Sequence, residues 1–198
     1  MTDNRFRVLG LATSPRKGGN TDLMLDSALE GAREAGAVIE KVHTPSLDIK
    51  PCQACNGCFK TGQCVQQDDM QKLYPKLLTF EGIILAAPIF SMNLAAQAKI
   101  VIDRLQCLWA KKFVLRKNTV ADDIREKRRG LWLSAAGSKR PDIFEPALFT
   151  VEYFFDMLEI TGWDRVTCSN VDNKGAVKDV AGALERCRNA GAHLVAGP

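Results

Sequence analysis

Four of the seven cysteines fall within thirteen residues, as Cys52-x2-Cys55-x2-Cys58-x5-Cys64, while Cys107, Cys168 and Cys187 stand apart. Thiolates are soft metal ligands, and four on one short loop can close around a single iron–sulfur cubane. Zinc sites usually space their ligands as two separated pairs, whereas here three cysteines follow one another at intervals of three, which argues for iron and sulfide. Zinc, and empty or disulfide-forming thiols, are the alternatives, although an intracellular protein seldom spends such density on disulfides. Pro51 fixes the start of the loop, and Gly57 and Gly62 give it bends. The three isolated cysteines sit on helix or strand patterns and read as small buried hydrophobes.

A second candidate is Ser14-Pro15-Arg16-Lys17-Gly18-Gly19-Asn20-Thr21, placed between an apolar run and a helical pattern. A helix start offers unpaired backbone N–H groups and the positive end of its dipole, which suits a phosphate. Gly18 and Gly19 let the backbone approach closely, Ser14, Asn20 and Thr21 offer hydrogen-bonding side chains, and Arg16 brings charge. The segment has neither the Gly-Lys-Ser/Thr triplet of a Walker loop nor the spaced glycines of a dinucleotide fingerprint, so a mononucleotide is favoured. Taken alone it also reads as a tight turn with an ordinary helix cap.

These residues need a scaffold, and the hydropathy pattern supplies one. Strand-length apolar runs alternate with helix-period segments along the 198 residues, the mark of a doubly wound five-stranded parallel sheet in one α/β domain spanning 1–198. Strands are expected at Arg7–Thr13, Val38–His43 (a half-exposed edge), Gly82–Ala87 (central), Trp132–Ala135 and Arg165–Cys168. Helical stripes are expected from Thr21 to about Ala35; through Met70, Leu73 and Leu77, capped by Asp68 or Asp69 and bent or delayed by Pro75; from Leu94 to Leu105; from Ile143 to Leu158; and from Val180 to Leu194. A cysteine-rich loop covers 51–67, and a long basic loop covers about 108–129.

In that order the loops resemble those of the NADPH-dependent FMN reductase family of flavodoxin-like proteins. Ser14 to Thr21 resembles its FMN phosphate loop. Ala87-Pro88-Ile89-Phe90-Ser91-Met92, with Lys99 and Ile102-Asp103-Arg104 beyond, resembles its second block. The likeness implies that Pro88, Ile89, Phe90 (where the family often has Tyr), Ser91 and Met92 lie against the isoalloxazine ring, and that Asp103 and Arg104 are structural. Ala135-Ala136-Gly137-Ser138 resembles its last ring-binding loop and implies contacts from Ala136 and Gly137. The cysteine spacing, with Pro51, Lys60-Thr61-Gly62 and Asp68-Asp69-Met70, is similar to the iron-sulfur flavoprotein branch, whose compact motif binds a [4Fe-4S] cluster. The resemblance implies an FMN-dependent oxidoreductase that exchanges electrons with NAD(P)H, a ferredoxin-like protein or a quinone, and that forms a homodimer or homotetramer. The alternatives are a flavin or quinone reductase without a cluster and a non-enzymatic electron carrier.

Other signals are plain. The net charge of +4 is mild, and the basic segment is interrupted by Asp122, Asp123 and Glu126 without a nucleic-acid motif, so a solvated loop is expected and no nucleic-acid partner. Trp109, Phe113, Val114 and Leu115 within it suit cover by a second subunit. Lys139 and Arg140 are candidate anion contacts. His43 and His193 lack a nucleophile or ligand partner nearby. No apolar run approaches a membrane span, and the opening residues carry no signal region, so a cytoplasmic address is expected.

Overall fold

The computed structural model describes residues 5–197. Five strands, β1 (Arg7–Ala12), β2 (Val38–His43), β3 (Gly82–Ala86), β4 (Arg129–Ala135) and β5 (Trp163–Cys168), pair in parallel in the order β2-β1-β3-β4-β5. This is the flavodoxin-like order, in which chain direction reverses beside β1 and opens a crevice at the carboxyl edge. Successive strand side chains point to opposite faces. Leu9, Leu11, Ile83, Leu85 and Trp132 therefore enter one core with α2 (Met70–Thr79), α3 (Ala96–Asp103) and α4 (Glu145–Met157). Val8, Ile84, Leu131 and Leu133 enter the other with α1 (Asn20–Glu34) and α5 (Ala183–Ala196). β3 is wholly buried and β2 is a half-exposed edge, as their patterns require.

The two helices of the second face touch through their backbones. A Cβ on Gly191 would stand 1.8 Å from Ala28 O, and one on Gly31 would stand 1.9 Å from Arg188 O. Any side chain at either position would force α1 and α5 apart.

Several boundaries differ from the sequence pattern, each for a visible reason. α2 starts at Met70 without delay because Met70 N–H donates to Asp68 Oδ1 at 3.1 Å, and the helix runs through Pro75. Leu94 is buried as expected but lies on a strand, in a two-stranded ribbon of Ile89–Phe90 against Asn93–Leu94. Val180 precedes α5. β4 begins three residues early because Arg129, which reads as polar, pairs with Gly82. Its guanidinium lies over the Phe6 ring and donates to Leu194 O and Val195 O. β5 likewise begins at Trp163, opposite Gly130.

The segment 108–129 is not one solvated loop. It holds helical turns at Gln106–Trp109, Ala110–Val114 and Asp122–Arg125. Arg128 is buried, donates to Leu77 O, and is pulled by that burial down to about 10 despite Glu159 and Glu81 nearby.

Candidate functional site

The loop from β1 to α1 closes on itself. Ser14 is buried, and its hydroxyl accepts Arg16 N–H at 3.1 Å while Gly19 N–H donates to Arg16 O at 2.9 Å. The first turn of α1 thus stands at the carboxyl edge with Thr21 buried inside it. Asp22 in that turn is a carboxylate ion-paired with Lys41. Burial works against its charge, but Lys41 Nζ at 2.6 Å and Gly18 N–H hold the carboxyl below its ordinary value. His43, at the end of β2, donates from Nε2 to Ser14 O at 3.0 Å, which fixes its tautomer and ties the two neighbouring loops together.

Asn20 has a different task from its neighbours. Its amide donates to Val171 O and Asn173 O at 2.9 and 3.0 Å, and its oxygen accepts Val177 N–H at 3.2 Å. Arg16 Nη1 donates to Asp172 O at 3.2 Å. The phosphate-type loop therefore carries the segment after β5 with it. Gly137 permits this closure, since a Cβ there would meet Asp172 Oδ1 at 2.8 Å.

The ribbon after β3 turns through Ser91 and Met92, both with positive φ (49° and 69°). Two adjacent left-handed non-glycine residues cost about 1–3 kcal/mol each, and such strain collects at functional turns. The turn leaves Phe90 and Met92 exposed. One cleft gathers Ser14, Arg16, Gly19, Asn20 and Thr21 with Pro88, Ile89, Phe90 and Gly137, while Ser91, Met92 and Ala136 stand outside its lining. Ala135, Val171, Asp172 and Lys174 complete it. Arg140 pairs with Asp142 on the surface instead.

The cysteine loop follows β2. Ala54 and Asn56 take positive φ, Gly62 ends a single helical turn at Cys58–Thr61, and all seven cysteines are free thiols. Cys55 is exposed, Cys58 is buried, and Cys52 and Cys64 are intermediate. Burial first, and then Cys64, Cys52 and Cys55, push the Cys58 thiol up. Among the described residues no three Cys, His, Asp or Glu side chains are gathered closely enough to hold a metal ion. Phe59 of the loop packs on Trp109, and Trp109 in turn on Phe113.

A sequence profile described as NADPH-dependent FMN reductase matches residues 6–140. The chain belongs to this family. It is 38% identical over 134 residues to an iron-sulfur flavoprotein of Methanosarcina thermophila, covering 68% of this chain and 65% of that protein. It is 41% identical over 100 residues to one from Archaeoglobus fulgidus, covering 50% and 46%. The chain thus spans about half to two thirds of the length of these relatives. An NAD(P)H:quinone oxidoreductase of Methanothermobacter marburgensis superposes with a TM-score of 0.69 at 16% identity, covering 96% of this chain and 99% of that one, which bears on the fold.

The profile match thus fixes the family, and the relatives matched over part of their length carry the name iron-sulfur flavoprotein. The match ends at residue 140, before the segment 171–174 that closes the cleft. Sequence reasoning missed that segment, although one signal was available: it is the loop at the carboxyl end of the last parallel strand, where such sheets bind ligands. Among the described residues no helix is long and apolar enough to cross a membrane.

Proposed function

We propose that the protein binds FMN in the cleft at the carboxyl edge, holds a [4Fe-4S] cluster on Cys52, Cys55, Cys58 and Cys64, and transfers electrons between them and a soluble donor or acceptor. The observation that carries this reading is the tie between His43 and Ser14, which couples the strand leading into the cysteine loop to the phosphate-type loop. The donor set fits in its chemistry: four free thiols on one thirteen-residue loop suit iron, and the start of α1 with Arg16 and Lys174 suits a phosphate. FMN supplies two-electron and one-electron chemistry when bound, and the cluster a one-electron port.

The chain's own residues do the rest. The N–H groups of the first turn of α1, the Ser14 and Thr21 hydroxyls and the cations Arg16 and Lys174 would hold the phosphate. Asn20 holds the 171–177 segment in place. Pro88, Ile89, Phe90 and Gly137, which line the cleft, would contact the flavin ring, and the strained Ser91-Met92 turn aims the ribbon. NAD(P)H and ferredoxin-like proteins are the proposed donors. The exposed Phe113, Val114 and Phe149 are proposed to meet a second subunit.

Anaerobic purification and reconstitution with iron and sulfide test the reading. Stoichiometric uptake of iron, sulfide and FMN supports it. FMN binding with reduction by NADPH and no iron uptake would leave a plain flavin or quinone reductase, the reading favoured by the cysteines not being gathered as ligands.

A further prediction separates the two loop residues. Arg16→Ala removes a charge-assisted contact worth about 1.5–3 kcal/mol, so FMN is expected to bind about 10- to 100-fold more weakly, and riboflavin to lose much less, through the exposed Arg16 bond to Asp172 O alone. Asn20→Ala unties the 171–177 segment and weakens both ligands alike. Flavin fluorescence titration reads both; equal losses for Arg16→Ala would put the phosphate elsewhere.

A further inference from the structure

We propose that Arg104 is the positioning residue of the cysteine loop and that its guanidinium hydrogen-bonds the Cys64 sulfur so as to raise the reduction potential of the cluster; this rests on the cluster reading above. The Arg104 side chain is fully buried. Nη1 donates to Lys50 O at 2.8 Å and to Asp68 Oδ2, and Nη2 donates to Asp68 Oδ1 at 3.0 Å and to Cys64 Sγ at 3.4 Å. Lys50 stands just before the loop, Cys64 is its last cysteine and Asp68 follows it, so one planar group fastens both ends. Lys50 N–H closes the same circuit onto Asp68 Oδ2 at 3.0 Å.

Arg104 is itself fixed from behind. Its carbonyl accepts the Tyr74 hydroxyl at 2.7 Å and the Cys107 thiol at 3.5 Å. The guanidinium fork cannot swing away from the sulfur without leaving a buried carboxylate unpaired, which is costly.

An N–H donor to a ligating sulfur draws electron density from it and stabilises the more negative, reduced cluster, and a charged donor does so more strongly. The variant Arg104→Lys keeps the charge but lacks the fork that reaches Lys50 O, Asp68 and Cys64 together. The double variant Arg104→Gln with Asp68→Asn removes both charges and leaves no buried ion unpaired.

The experiment is an EPR-monitored redox titration of the full chain, reconstituted anaerobically and carrying FMN, with FMN content and thermal unfolding as checks of the fold. Both variants are expected to shift the cluster potential downward, the double variant by at least tenfold in the one-electron equilibrium, or about 59 mV. A folded, FMN-bound variant that no longer takes up iron supports the positioning role. Fully loaded variants with the wild-type potential would overturn the proposal, because a merely structural arginine leaves the potential alone. Wild-type protein that takes up no iron would instead remove the cluster reading beneath it.

Discussion

Asp68→Ala is expected to cost about 3–5 kcal/mol of folding stability, because it strands the buried Arg104 cation. The two side chains are 1% and 0% exposed, and Asp68 also accepts the N–H groups of Lys50 and Met70. One substitution therefore removes the cap of α2, the closure of the cysteine loop and the counter-charge of Arg104. Burial alone would push the Asp68 carboxyl up, but the Arg104 guanidinium and the two N–H groups hold it below its ordinary value. The folded state thus binds this proton less tightly than the unfolded chain. The stabilisation is full above the unfolded value, about 3.9, and disappears as pH falls through the lower folded value. Denaturant unfolding at pH 7 should show the large loss, and the gap between wild type and variant should narrow below about pH 4. The adjacent Asp69→Ala should cost much less, about 1 kcal/mol, since its partners, the Lys72 ammonium and the Asp48 N–H, both lie at the surface. Equal effects at 68 and 69 would contradict this account.

The contrast between those two aspartates shows where the sequence was legible. Either residue suited a helix cap, and nothing local distinguished them; Arg104, thirty-six positions away, makes the difference. Period-based reading found each strand of the parallel sheet and every long helix among the described residues because each such strand has its own burial pattern, continuous in β3 and mixed in β2. It failed at Leu94, whose burial is the same on a ribbon as on a helix, and at Arg129, a strand residue that hides its charge on Phe6 and on helix-end carbonyls. That residues 14–21 form a tight loop leading into a helix was legible from residue types alone. The role of Asn20 was not, since its three partners lie some 150 residues on and are brought near only when β5 pairs with β4.

Cys55→Ala is expected to abolish iron and sulfide uptake while leaving FMN binding and stability at wild-type levels. The choice among the four cysteines matters. Cys58 is buried and belongs to the core that includes Met70 and Leu108, so its replacement mixes a packing defect with a lost ligand. Cys64 receives the Arg104 hydrogen bond, so its loss also disturbs the fastening of the loop. Cys55 is exposed between Ala54 and Asn56, and exposed substitutions away from special contacts usually change stability by less than about 0.5 kcal/mol. Its one remaining claim is as a ligand. A cubane deprived of one of four thiolates loses a coordination bond that water replaces poorly, so the effect on uptake should be close to complete. Iron and acid-labile sulfide per chain, measured after parallel anaerobic reconstitution of wild type and variant, give the answer, with flavin content as the internal check. Undiminished iron in the Cys55→Ala protein would mean that the metal sits on other ligands, and loss of flavin together with iron would mean that the loop supports the FMN cleft rather than a cluster of its own.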